Sequence, residues 1–160
     1  MKLKILEIEY HPSIMDKAKS LLSGIGNIKQ TQKYYDSWSN HYDFTLDKWK
    51  YTAPKKSIII LKKKLKNYPH RILDLACGTG LFGVELKKIY RNSQIYGSDI
   101  SKKSLKIAKE KNIYKKLINI NFEKTFNYET KFELISMIGA MTYCKSFDKN
   151  FSNTKNYLKK

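Results

Sequence analysis

Arginine is almost missing from this chain. Of its 32 basic residues only Arg71 and Arg91 are arginine. The shortage bears on the formal net charge of +18, which by itself invites a nucleic-acid reading. Base-edge and bidentate phosphate recognition rely on arginine's planar fork. The lysines here sit in a chain rich in Asn, Ile and Tyr, the pattern of a composition-wide bias. Nonspecific attraction to phosphate follows from such a charge; a dedicated nucleic-acid partner does not.

Cysteine and histidine are also scarce. Cys77 and Cys144 have neither metal-site spacing nor the density of a disulfide framework, and reduced thiols are expected. His11, His41 and His70 are not paired with a Cys or His at ligand spacing, so no metal site is expected. Long apolar runs are missing too: "SIIIL" at 57 to 61 falls far short of the ~20 residues of a membrane span. "MKLKILEIEY" at the start alternates charged and apolar residues and has no apolar h-region of a signal peptide. A cytoplasmic protein without membrane association is the expectation.

What is present divides near residue 68. Upstream, the pattern is helical. "SIMDKAKSLLSG" at 13 to 24 opens on Ser13 with an acid three residues later and stops at Gly24. Residues 28 to 50 crowd Tyr34, Tyr35, Trp38, Tyr42, Phe44 and Trp49 into one segment, and "APKKSIIILKKKLKN" places Pro54 in a first helical turn. Residues 1–67 are therefore expected to form an N-terminal segment of cap helices. Downstream, strands are expected at 71 to 76, 94 to 99, 116 to 122 and 132 to 141, with helices at 80 to 90 and 101 to 111 between them. This alternation specifies an α/β fold, a doubly wound parallel sheet, over residues 68–160.

Between the first strand and its helix lies "LDLACGTGLFG". Gly78, Gly80 and Gly83 make a literal G-x-G-x-x-G, the fingerprint of dinucleotide binding. Charge argues against that ligand. A pyrophosphate rests on backbone N–H groups at the helix start, and a carboxylate beside the loop repels it. Asp74 stands four residues before Gly78. S-adenosylmethionine carries a sulfonium and an ammonium instead, so Asp74 attracts it while the glycines admit its amino acid and ribose. Asp99, at the end of the second strand, suits any ribose diol.

At these residues the chain resembles the class I S-adenosylmethionine-dependent methyltransferases, with "ILDLACGTG" similar to their first motif and "IYGSDIS" to their second. "YYDSWSNHYD" at 34 to 43, "YTAP" at 51 to 54 and "AKEKNIYKKL" at 108 to 117 look most like the Williams–Beuren syndrome chromosome region methyltransferase-like group. The resemblance implies a Rossmann-like fold and S-adenosyl-L-methionine as cofactor. It implies cofactor contacts from Asp74, Ala76, Cys77, Gly78, Gly80 and Asp99, adenine packing on Ile100, and a rim at Asn121 and Phe122. Ile138 and Gly139 are expected beside the methionine end, and Tyr34, Trp38 and Tyr42 in a lid over the cofactor.

The resemblance also implies more strands than four. The pattern here stops after the fourth, "FELISMIGAM", which is expected to form an apolar sheet edge open to self-association. The implied function is transfer of a methyl group to a small-molecule, protein or RNA acceptor. The alternative is a noncatalytic module of the same fold that holds cofactor or a partner. No residue marks itself as a catalytic base.

Overall fold

The computed structural model of the protein describes residues 27–124 and 128–159. The helix expected at 13 to 24 lies outside the described residues. Two helices come first, α1 (Ile28–Lys48) and α2 (Ala53–Lys64), followed by β1 (Arg71–Leu75), α3 (Leu81–Ile89), β2 (Gln94–Asp99), α4 (Lys102–Glu110) and β3 (Tyr114–Asn119). Strand β4 (Leu134–Met137), a 3₁₀ turn (Met141–Tyr143) and α5 (Phe147–Lys155) complete the order. The four strands form one parallel sheet in the order β3-β2-β1-β4.

Each boundary has a local cause. Asn27 caps α1 by accepting from the Gln30 N–H at 3.2 Å, and Pro54 occupies the first turn of α2. Ser101 and Ser146 cap α4 and α5 in the same way. Strand β3 begins earlier and ends sooner than the apolar pattern suggests. Its start pairs Ile95 with Tyr114 through an irregular register, and at its end the Asn119 amide turns back to donate to the Asp99 and Ile100 carbonyls at 2.9 and 2.8 Å. Strand β4 is likewise shorter than residues 132 to 141, because Met137 is the last residue to pair with β1 and Gly139 turns the chain with φ +78.

Alternation along the strands sorts two apolar clusters onto the two faces of the sheet. Ile72 and Ile95 pack with Ile58 of α2 and with Phe82 and Leu86 of α3. Leu73, Leu75 and Tyr96 pack with Phe122, Phe132 and Tyr157. A third, smaller cluster of Tyr34, Trp38 and Leu46 seats α1, with Leu81 against it. Strand β4 lies at the sheet edge. Its approach is covered where the Phe132 N–H donates to the Tyr157 carbonyl and the Lys159 N–H to the Phe132 carbonyl, a parallel bridge centred on Phe132 and Leu158.

Phe132 is fully buried, with edge contacts to Tyr96 at 5.3 Å and Tyr128 at 5.2 Å between ring centroids. Removing a buried phenyl ring costs about 3–5 kcal/mol. Phe132→Ala is expected to lower the chemical denaturation midpoint by a corresponding amount, whereas Phe151→Ala, at a ring 61% exposed, is expected to leave it within about 0.5 kcal/mol.

Candidate functional site

The turn from β1 into α3 is built from left-handed residues: Ala76 has φ 53, Gly78 φ 55 and Gly80 φ 91. Such a path favours glycine, and Ala76 takes it under the constraint of a Cys77 N–H bonded to the Ser98 carbonyl at 2.9 Å. A side chain built on Gly78 meets nothing within 4 Å among the described residues, so this glycine faces open space. Gly80 and Gly83 do something else. Cβ atoms there would come within 3.0 and 2.2 Å of the Tyr114 side chain.

Asp99 joins the two strand ends. One carboxylate oxygen accepts from the Gly78 N–H at 2.8 Å, and the other accepts from the Ser101 N–H at 2.8 Å. Capping of α4 itself falls to Ser101, whose hydroxyl accepts from the Ser104 N–H at 3.0 Å. Burial holds the Asp99 carboxyl above its ordinary range; the Ser101 and Gly78 N–H groups and, more weakly, that of Ile100 pull it down, while the nearby Asp36 charge adds to the rise.

Asp74 is deeper, 1% exposed. Its carboxylate accepts from the Tyr114 hydroxyl at 2.8 Å and from the Ser136 hydroxyl at 3.1 Å. Burial pushes its pKa up to about 7, against the opposing pull of those two donors. Cys77 is buried as well, and burial followed by the Asp74 charge raises its thiol far from a reactive thiolate. Both cysteines are free. Among the described residues no cluster of His, Cys, Asp and Glu has the form of a metal site, and no helix is long and apolar enough to cross a membrane.

Helix α1 is fastened over this loop by two carboxylates seven residues apart. Asp36 accepts from the Ser101 hydroxyl at 2.6 Å and the Lys103 N–H at 3.3 Å, at the N-terminus of α4 where negative charge is favoured. Asp43 accepts from the Thr79 hydroxyl in the glycine loop and from Lys111 at 2.6 Å, just past the end of α4. Farther along, the Tyr35 hydroxyl donates to the Tyr143 hydroxyl at 3.2 Å, joining α1 to the 3₁₀ turn.

Under this roof lies a partly open cleft lined by residues of α1, the glycine loop, the ends of β2 and β4 and the segment after β3. Of the residues expected from the sequence, Tyr42, Ala76, Gly78, Asp99, Ile100, Asn121, Phe122, Ile138 and Gly139 line it. Asp74 and Cys77 line a smaller adjoining cavity, which shares Tyr42, Ala76, Gly78, Thr79 and Ile138 with the cleft. Gly80 is turned to Tyr114. Tyr34 and Trp38 do not border the cleft; helical spacing places them in the apolar seat of α1, while Thr31, Tyr35 and Tyr42 face the cleft. His41 is exposed on α1.

Other lining residues escaped the sequence reading, among them Thr79, Ser104, Glu123 and Tyr143. Glu123 supplies an acid close to Asn121, though two residues farther on. The Asn121 amide oxygen accepts from the Glu123 N–H at 2.9 Å, which fixes the orientation of the amide. Its buried nitrogen has no hydrogen-bond partner among the described residues.

Residues 66–160 match the family described as "Methyltransferase domain". The chain belongs to this methyltransferase family. Human methyltransferase-like protein 27 is 32% identical over 123 residues, which are 74% of this chain and 50% of that protein. Malonyl-[acyl-carrier protein] O-methyltransferase 1 of Ilyobacter polytropus is 33% identical over 109 residues, 67% of this chain and 40% of the relative. The chain thus spans about half the length, or less, of these methyltransferase relatives.

Two solved structures show the same fold. A methyltransferase from Clostridium acetobutylicum, described as S-adenosylmethionine-dependent, superposes with a TM-score of 0.61 at 23% identity, covering 76% of this chain and 53% of that one. The plantazolicin methyltransferase BpumL, solved in complex with SAH, gives 0.65 at 16% identity, covering 92% and 57%. The fold is the Rossmann-like sheet of the class I methyltransferases.

The buried carboxyl of Asp74 generates a pH test in the protein without ligand. In the unfolded chain it ionises near its ordinary value of 3.8, and in the fold near 7. Between these values the unfolded state gives up a proton that the folded state keeps. The group's contribution to stability is full below about pH 4 and is lost as pH rises through about 7. Asp74→Asn has no such group, so its Tm relative to the unsubstituted protein is expected to climb from pH 4 to pH 7 and then level off. A difference that stays constant across that range contradicts the raised pKa.

Proposed function

We propose that the cleft binds S-adenosylmethionine and that the protein is a methyltransferase. The pairing of Asp99 with Asn121 carries this reading. A carboxylate offers about four lone-pair positions; the Gly78 and Ser101 N–H groups take two of those on Asp99, and the Ile100 N–H also acts on it. The remaining capacity suits a ribose hydroxyl. In the same cleft the unpartnered Asn121 nitrogen meets the needs of a ring-nitrogen acceptor, between the apolar Ile100 and Phe122. The amino-acid end then extends past Gly78 toward the cavity bordered by Asp74.

Bound there, S-adenosylmethionine supplies a methyl group on a positively charged sulfur. The residues of this chain orient and exclude. Asp99 and Asn121 hold the nucleoside, while Tyr35, Tyr42 and Tyr143 cover it from water. Burial pushes the Tyr42 hydroxyl well above its ordinary pKa, with Tyr51 and the Asp99 charge adding, so it stays protonated and is not a base. Transfer by in-line displacement needs the acceptor held opposite the sulfur, and the acceleration comes from proximity and orientation. The noncatalytic alternative binds the same ligand without transferring label from its methyl group.

Binding decides between this reading and a dinucleotide. Calorimetry is expected to show S-adenosylmethionine and its demethylated product binding, and NAD not. Loss of a charge-assisted hydrogen bond weakens binding by roughly ten- to a hundredfold, and Asp99→Ala is expected to show such a loss. Comparable NAD affinity, or an unchanged dissociation constant in folded Asp99→Ala, contradicts the assignment.

Helix α1 is proposed as the lid. The Tyr35–Tyr143 hydrogen bond joins two residues that line the cleft from α1 and from the 3₁₀ turn, and movement of α1 would widen the way in. Amide exchange between Tyr34 and Tyr51 is expected to slow on adding the demethylated cofactor, and to slow more than in α2. Equal protection of both helices with and without ligand makes α1 a fixed wall.

A further inference from the structure

We propose that Tyr114 is a positioning residue of the cofactor loop: its ring fills a socket left by Gly80, Gly83 and Gly97, and its hydroxyl fixes the Asp74 carboxylate beneath that loop. The inference deepens the cofactor reading and rests on it for its consequence in binding.

The socket is visible in what a methyl group would meet. A Cβ on Gly83 would lie 2.2 Å from the Tyr114 oxygen and 2.5 Å from its ring carbon. On Gly80 it would lie 3.0 Å from the ring, and on Gly97 2.9 Å from the ring and 2.7 Å from Leu117. Distances below 3.0 Å are not tolerated without movement, and the ring has little room to retreat because it is packed against the cluster beneath α3. The third glycine of the fingerprint therefore serves a tyrosine and no phosphate.

Register explains the reach. Asp74 pairs across the sheet with Gly97 on one side and Ser136 on the other, and Gly97 pairs with Leu117. A side chain at position 97 would stand between β3 and Asp74. Glycine leaves that row open, and Tyr114 passes through it to donate to Asp74 at 2.8 Å. Among the described residues the groups facing Asp74 are the Tyr114 and Ser136 hydroxyls, the Cys77 thiol and the Asp99 carboxylate, and no Lys or Arg acts on it. The two hydroxyls are what favour its ionised form, which is the form that attracts a cationic ligand.

Tyr114→Phe keeps the ring in its socket and removes the donor. Asp74 should then ionise at higher pH, read in the ligand-free protein by carbon NMR of labelled aspartate, with folding retained. In the same variant, affinity for S-adenosylhomocysteine should fall about tenfold at pH 7 and recover toward pH 9. A purely structural role lowers affinity equally at both pH values.

The socket is tested separately by a double-mutant cycle read as Tm. Gly83→Ala should lower Tm in the native background and have little further effect in Tyr114→Leu. An unmoved Asp74 titration in Tyr114→Phe, or additive Tm losses in the cycle, overturns the proposal. If the Asp74 titration shifts and the cycle is non-additive while the native protein does not bind S-adenosylhomocysteine, the positioning of Asp74 stands and the cofactor reading fails.

Discussion

The contact on which the site depends is the hydrogen bond from the Gly78 N–H to Asp99, 2.8 Å long. It joins the loop after β1 to the last residue of β2, next to the bond from the Cys77 N–H to the Ser98 carbonyl. The same carboxylate takes the Ser101 N–H, and Ser101 in turn both caps α4 and donates to Asp36 of α1. Loop, sheet, helix and cap thus converge on one side chain. That side chain also lines the cleft, which is why a structural tie is proposed as a binding group as well.

The charge around the cleft opposes that of the whole chain. The protein carries +18 overall, yet Asp36, Asp43, Asp74, Asp99 and Glu123 gather in or around the cleft. Surface lysines act through water and salt, whereas the buried Asp74 and the half-buried acids near it act at shorter range with less screening. On the proposed reading the carboxylates favour a cationic ligand, and the global charge bears on nonspecific association. Several of these acids have structural duties as well. Asp43 grips Thr79 and Lys111 and so couples the cap to the glycine loop.

Much of the core was legible from the sequence because local patterns carried it. "RILDLA", the glycine turn and Asp99 are set by strand propensity, left-handed turns and one acid at a strand end, and these positions need little knowledge of distant residues. The segment from 28 to 50 was legible as a helix but not as to which aromatics face inward. Tyr34, Trp38 and Tyr42 were expected together on the face over the cleft; Tyr42 does line it, with Tyr35, whereas Tyr34 and Trp38 lie in the apolar seat of α1, since the phase of a helix crowded with aromatics is set by its docking on α4 and Leu81. A usable signal lay in "YYDSWSNHYD", where Asp36 and Asp43 are seven residues apart and so share a face. For Tyr114 there was no such signal. Its partners Asp74, Gly83 and Gly97 come from three other elements, and only strand register brings them together.

The cleft roofed by α1 is proposed as the S-adenosylmethionine site, with Asp99 as its anchor. A crystal structure of the protein with S-adenosylhomocysteine tests this directly. The ribose hydroxyls are expected on the Asp99 carboxylate, the base between Ile100 and Phe122 with the Asn121 nitrogen on a ring acceptor, and the amino-acid end at Gly78. Ligand bound elsewhere, or ribose placed away from Asp99 with the cleft still covered by Tyr35 and Tyr143, would contradict it.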